Sequence, residues 1–311
     1  MKKSPIRIVI LGVLAVFTFA FCFIPAAAQQ KPIPKPPLKV FISVDMEGIS
    51  GIVHTDQTTP GTAEYSDARS WMAMDANAAV EGARFAGATE IVINDSHGSM
   101  RNITYTAILS PEAFLISGSP KPLSMMQGID ASFQACIFIG YHAKAGTEDA
   151  ILDHTISSSV VRAVRVNGIE MPELGLNGAI AGYYGVPVVL VSGDTAVCRQ
   201  AGEILGKDVM TVAVKDAIGR QAAKLVPMNE TRRMISDGVR AALGKLAGAK
   251  PYKIPPPYRF ELEYHVSAQA DMGEMLPQVK RVGARTIAFT TDDYLEGFRT
   301  LRALIALAPA R

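Results

Sequence analysis

KVFISVDMEGISGI, residues 39 to 52, decides how the rest of the chain is read. Its first half is a short, continuous apolar run, the pattern of a strand buried on both faces. Its second half carries two carboxylates, Asp45 and Glu47, out of that strand, with Gly48 directly after them. Side chains alternate along a strand, so Asp45 and Glu47 face the same way if the extended geometry persists through Met46. A buried strand that ends in charge points to a parallel α/β sheet, in which ligands bind at the carboxyl ends of the strands.

The same layout recurs downstream. EIVIND (90–95) reads as a second strand running into Ser96 and His97, and CIFIGYH (136–142) as a third ending at His142. Residues 63–86 read as a helix with Ala68, Met72, Ala76, Ala79 and Ala83 on one face and Gly87 as its stop. LSMMQGIDASFQ (123–134) is a predicted helix, and Asn167-Gly168 inside VVRAVRVNGIEM (160–171) is a hairpin signal. LNGAIAGYYG (176–185) and VPVVLVSGD (186–194) add a helix and a strand. A helix over 229–246 leads to the Pro-rich break KPYKIPPPY (250–258). Beyond it, RFELEYHV, a helix over 270–280, RTIAFTT and DDYLEGFRTLRALIALA make a smaller α/β piece. The expected fold is α/β: a mostly parallel sheet flanked by helices in three layers over 38–225, with a smaller C-terminal α/β unit over 226–311.

The start of the chain stands apart. Lys2, Lys3 and Arg7 precede the apolar run IVILGVLAVFTFAFCFI, which ends at Pro25 and three alanines, 26–28. This is the layout of an export signal (1–28) cut after Ala28; the rival reading is an uncleaved membrane anchor, which the small-residue cleavage pattern disfavours. QQKPIPKPP (29–37) is an extended spacer. Of 31 basic and 29 acidic side chains, three basic ones lie in the signal, so the mature chain is close to neutral. Neither a nucleic-acid partner nor a polybasic membrane surface is expected, and no membrane association after cleavage. Cys136 and Cys198 remain after cleavage; a disulfide is compatible with an oxidising compartment, and two buried thiols are the plainer expectation.

Three strand ends thus bring Asp45, Glu47, His97 and His142 to one edge, a donor set that suits zinc or a similar divalent ion. Taken singly, each residue has an ordinary explanation: a capped loop, an ion pair, a hydrogen-bonded histidine. Taken together they converge, because three of the five histidines (His97, His142, His154) fall at or just after predicted strand ends. Other hydrolytic and nucleotide-binding signatures are absent: the chain has no HExxH, GxSxG, P-loop or GxGxxG. Asp95-Ser96-His97 holds the residue types of a serine triad, but adjacent residues cannot fold back into that relay.

SVDMEGISG, NDSHGSM, GYHA, DH and ELGLNG, in this order and at these separations, resemble the zinc-dependent D-aminopeptidases of the DppA type. The resemblance runs from Leu38 to the end of the chain. It implies two Zn2+ per chain held by Asp45, Glu47, His97, His142 and Glu173, with Asp45 bridging. Glu47 and His97 would then serve one ion, and His142 and Glu173 the other. It also implies that His154 is the catalytic histidine. Glu173 enters only through the resemblance, since a lone Glu otherwise reads as a surface acid. His154 acts on the transition state or, alternatively, orients a ligand.

The expected function is an exported, periplasmic or secreted, dinuclear zinc aminopeptidase acting on short peptides with N-terminal D-residues. The resemblance adds a ring-like homo-oligomer, a decamer. The rivals are a metal-dependent amidase or esterase on the same site, and a non-catalytic periplasmic peptide-binding protein.

Overall fold

The computed structural model describes residues 1–2 and 37–308; the predicted leader and spacer lie outside the described residues except at Met1, Lys2 and Pro37. In chain order the elements are β1 (Leu38–Val44), α1 (Thr55–Thr58), α2 (Tyr65–Phe85), β2 (Ala88–Asp95), β3 (Ala113–Ile116) and β4 (Ala135–Tyr141). There follow β5 (Val161–Val166), β6 (Ile169–Glu170), α3 (Glu173–Tyr183), β7 (Val188–Asp194), α4 (Thr195–Ile204), β8 (Met210–Gly219) and β9 (Ala222–Leu225). The last are α5 (Met228–Gly244), β10 (Tyr258–Tyr264), α6 (Ser267–Glu274), β11 (Lys280–Gly283), β12 (Thr286–Thr291) and α7 (Tyr294–Leu307).

The apolar run of β1 is buried from Val40 onward, as its composition requires. It lies inside a seven-stranded sheet of order β3-β2-β1-β4-β7-β8-β9. Every pairing is parallel except that of β9 with β8. The chain builds outward from β1 through β2 to β3, then returns to the other side of β1 with β4. The strand order therefore reverses between β1 and β4, the point at which open α/β sheets present a ligand crevice. Register completes the placement: Val44 is level with Asp95 of β2 and with Ile139 of β4. The residues just past these positions leave the sheet along one edge.

Alternation along β1 divides the core. Val40, Ile42 and Val44 face a layer made by α2 and α5, including Met72, Ala76, Ala79, Ile235 and Val239. Phe41 faces the other way, into a core with Phe138, Tyr141, α3, α7 and a second sheet. The predicted alanine-rich face of α2 is the buried one, and small side chains there let α2 and α5 pack closely.

The second sheet, of order β11-β12-β10-β5-β6, is antiparallel. The Asn167-Gly168 turn joins β5 to β6 with φ of +50° and +82°, both in the left-handed region that a two-residue hairpin loop of this type demands. This sheet takes strands from either side of residue 225, while α5 packs on α2 of the first layer.

One predicted helix is absent. Residues 123–134 hold only a single 3-10 turn, Ser124–Met126, after which Gly128 sits at φ +101°. The Asp130 side chain accepts the Ser132 N–H, which a helix would have directed to the Gly128 carbonyl, and the Gln127 side chain folds back to accept the Leu123 N–H. Met125, Met126, Ile129 and Phe133 are nevertheless buried, so the apolar spacing reflects burial of an irregular segment against β1, β2 and α3. The elements α1, β3, α4, β8, β9 and β11 are additions to the predicted set. Cys136 is buried in β4 and Cys198 half-buried on α4, and both are free.

Candidate metal centre

The glycine after the two carboxylates has a steric cause. Pairing of β1 with β4 continues one residue beyond the strand, Asp45 N–H donating to Ile139 O at 2.8 Å. The chain then turns directly over β4, where Gly48 N–H donates to Gly140 O at 2.8 Å. A Cβ at residue 48 would lie 2.0 Å from the Tyr141 carbonyl oxygen, so only glycine lets the loop lie this close.

This loop is gripped from beneath by Lys215 of β8, which is 1% exposed. Its ammonium donates to the carbonyls of Glu47, Ile49 and Ile52 at 2.7, 2.8 and 2.6 Å, which uses all three of its protons. On the other side, Ser50 N–H and Oγ both donate to Asp75 of α2 at 2.9 and 2.8 Å. Replacing Lys215 by Met keeps most of the aliphatic stem and orphans the Glu47 and Ile52 carbonyls, while Ile49 O still accepts the Ile52 N–H at 3.2 Å. Lys215→Met is expected to cost about 2 kcal/mol or more, at about 1 to 3 kcal/mol for each of the two unsatisfied groups, measured by denaturant unfolding. A loss under about 0.5 kcal/mol, the range of ordinary surface substitutions, would show that the loop does not depend on this grip.

Six side chains meet above this edge in two groups whose donor atoms lie within 4.8 Å of one another: Asp45, Glu47 and His97, and His142, His154 and Glu173. His97 follows β2, His142 follows β4, His154 lies in the connection to β5, and Glu173 is the first residue of α3. His97 Nδ1 is 3.0 Å from Glu47 Oε2 and 3.5 Å from Asp45 Oδ1. His142 Nε2 is 3.4 Å from both Asp45 Oδ2 and Glu173 Oε1. His154 Nε2 is 3.7 Å from Glu173 Oε1, and its ring stacks on that of His142 at 4.0 Å. Asp45 thus turns one oxygen to each group.

All three imidazoles are oriented by the same device. A backbone carbonyl can only accept, so each ring must donate to it: His97 Nε2 to Thr58 O, His142 Nδ1 to Ala143 O, and His154 Nδ1 to Leu152 O, each at 2.9 Å. The opposite nitrogen of every ring is thereby aimed at the carboxylates, as in metal-ligating histidines. His142 Nε2 is fully buried yet makes no hydrogen bond, despite two carboxylates at ion-pair distance. Such an atom needs an electrophile, and the donor set of oxygen and imidazole nitrogen fits a divalent cation there.

The electrostatics agree. Burial, reinforced by Glu47, raises the Asp45 carboxyl to about 7. Burial presses on Glu47 and Glu173 as well, but His97 holds Glu47 well below the carboxylate range and His142 draws Glu173 down to about 2. Burial opposes charge on His97 and His142; the carboxylates overcome it, lifting His97 well above its ordinary value and His142 to about 10. His154 moves the other way, lowered by burial and then by His142. Three buried carboxylates call for positive charge, and a cation among them would take over from the imidazole protons.

Glu173 had a local signal: Pro172 directly precedes it, and proline opens helices, which would have put Glu173 at the start of a buried helix. Asn177 donates to Tyr141 Oη and Met125 Sδ, inside the core. Asp194 caps α4 and accepts Ile151 N–H at 2.7 Å, which steadies the segment leading to His154. His265 is exposed, away from both groups.

The crevice, its six donors and a cavity of about 390 Å³ above them belong to a peptide hydrolase. Residues 38–303 match the family described as D-aminopeptidase, and the chain belongs to that family. It is 35% identical to the D-aminopeptidase of Bacillus subtilis (strain 168) over 272 residues, 87% of this chain and 98% of that one. Among solved structures it is similar to the Zn-dependent D-aminopeptidase DppA from Bacillus subtilis, a self-compartmentalizing protease. That similarity has a TM-score of 0.84 at 35% identity over 87% of this chain and 97% of that one. Membership of a peptidase family removes the non-catalytic binding protein from consideration.

Proposed function

We propose that this chain is an exported dinuclear zinc aminopeptidase that removes N-terminal D-residues from short peptides such as D-Ala-D-Ala. Asp45 carries the reading: its two oxygens face His97 at 3.5 Å and His142 at 3.4 Å, the attitude of a carboxylate shared by two ions. Glu47 and His97 would complete one site, and His142 and Glu173 the other. Zinc is supported by the donor set and by the zinc dependence of the similar DppA.

Zinc held there supplies a Lewis acid for the scissile carbonyl and lowers the pKa of a water towards neutrality. The chain's own contribution is proton handling and position. With Nδ1–H tied to the Leu152 carbonyl, His154 presents Nε2 to the cavity, where it takes a proton and delivers it to the leaving amine. Stacking on His142 limits its rotation. The apolar leader supports export, where D-residue peptides would be met outside the cytoplasm. The self-compartmentalizing relative supports a homo-oligomer; the ring-like decamer is the assembly that the family resemblance implies, and its mass in solution would be ten chains.

Handedness must come from cavity walls, since two ions have no preference of their own. A displacement of about 1 Å costs roughly 10²-fold in rate. kcat/KM for D-Ala-D-Ala is therefore expected to exceed that for L-Ala-L-Ala by at least about 10²-fold, and N-acetylation should abolish turnover. Equal rates for the two enantiomers, or cleavage of acetylated peptides, would leave a metal amidase or esterase in its place.

A further inference from the structure

Two arginines line the cavity above the six donors, Arg220 and Arg302. Arg220 is committed: its Nε donates to Asp153 Oδ1 at 2.9 Å and its Nη2 to the Asp153 carbonyl at 3.4 Å. Arg302, on α7, is half-buried and has no hydrogen-bond or ion-pair partner among the described residues. Glu173 is the carboxylate whose charge it feels, but the two do not form an ion pair. Burial of an unpaired guanidinium is unfavourable, so its five N–H donors are an interaction waiting for an acceptor.

Arg302 also stands where this cavity meets a second one of about 510 Å³, the two sharing Gly98, Met100 and Ser124. The second cavity carries Lys121, Arg299 and Arg302 on its wall and no carboxylate. Lys121 is occupied by the Asn94 side chain and, at 2.8 Å, by the Asp95 carbonyl, while Arg299 Nε donates to Leu295 O at 3.1 Å. The scissile bond belongs at the six donors, so one end of the peptide must project toward this basic wall. The amino end carries a positive charge, which the wall repels. The leaving end terminates in a carboxylate, which it attracts and which the planar fork of an arginine fits in bidentate fashion. In a dipeptide that carboxylate lies about one residue, roughly 3.8 Å, beyond the scissile bond.

We infer that Arg302 receives the C-terminal carboxylate of the substrate, making the chain selective for short peptides with a free carboxyl end. This rests on the aminopeptidase reading above. The test compares D-Ala-D-Ala with its C-terminal amide in the zinc-loaded full-length wild type, Arg302→Met and Arg302→Lys. In wild type, kcat/KM for the acid is expected to exceed that for the amide by about 10- to 100-fold, mostly through KM, as for a charge-assisted hydrogen-bond pair. Arg302→Met should lose that factor on the acid and keep the amide rate, with zinc content and thermal unfolding unchanged; Arg302→Lys should retain part of it. Equal use of acid and amide by wild type would overturn the inference while leaving the aminopeptidase reading intact. An equal fall on both substrates in Arg302→Met would also overturn it, reducing Arg302 to a charge acting on Glu173. Failure of wild type to cleave either substrate would remove both readings together. The acid-to-amide ratio of wild type and Arg302→Lys decides the matter even if Arg302→Met does not fold.

Discussion

Asp45→Ala is expected to lose both zinc ions and, with them, hydrolysis. Asp45 is 3% exposed and, among the described residues, is the one side chain within ion-pair distance of a histidine from each group. Its removal deprives both sites of a donor at once. Metal analysis of the purified protein is expected to give two ions per chain for wild type and near zero for the variant. Activity should drop by at least about 10³- to 10⁴-fold, since the metals supply several kcal/mol of transition-state stabilisation and each 1.4 kcal/mol is tenfold. The fold should survive, because burial and Glu47 already weigh against the charge that the substitution deletes. Glu173→Ala is expected to differ in kind: it removes a donor from one group and should mainly weaken one ion. Wild type that saturates at one zinc per chain would sink the dinuclear assignment.

His154→Ala is expected to keep both ions and its fold, while kcat falls by roughly 10²- to 10⁴-fold, the range for loss of a general acid or base. The geometry makes this a sharp test, because His154 Nε2 shares a donor cluster with His142 and Glu173. It lies 3.7 Å from Glu173, farther than the 3.4 Å of His142 from the same oxygen, and it is the more exposed of the two imidazoles. A residue at the rim of the cluster can reach the substrate, whereas His142 is sealed beneath it. Loss of one zinc in His154→Ala would instead make His154 a ligand or the support of one.

Much of the candidate site was legible before the fold was known, for a definite reason. In a parallel sheet the functional residues leave the ends of buried strands, and buried strands announce themselves as apolar runs. Asp45, Glu47, His97 and His142 each follow such a run, so local pattern alone collects them at one edge. Glu173 reached the candidate set through resemblance, although Pro172 before it marks a helix start. The same local logic misreads residues 123–134, where apolar spacing records contact with β1, β2 and α3 and the backbone is a turn.

What the sequence by itself determined is therefore the set of buried strands, the carboxylates and histidines at their ends, and the family to which their order belongs. Only the tertiary structure decided that β4 lies beside β1, which puts His142 within 3.4 Å of Asp45. It alone brings Lys215, from a strand 160 or more residues away, under the carbonyls of the 47–52 loop, and sets Arg302 of α7 on the cavity wall. The physical reason is that periodicity encodes how much of each element is buried, a local quantity. Which elements become neighbours is settled by sheet order and layer packing, and a buried lysine or an unpaired arginine has meaning only once its neighbours are in place.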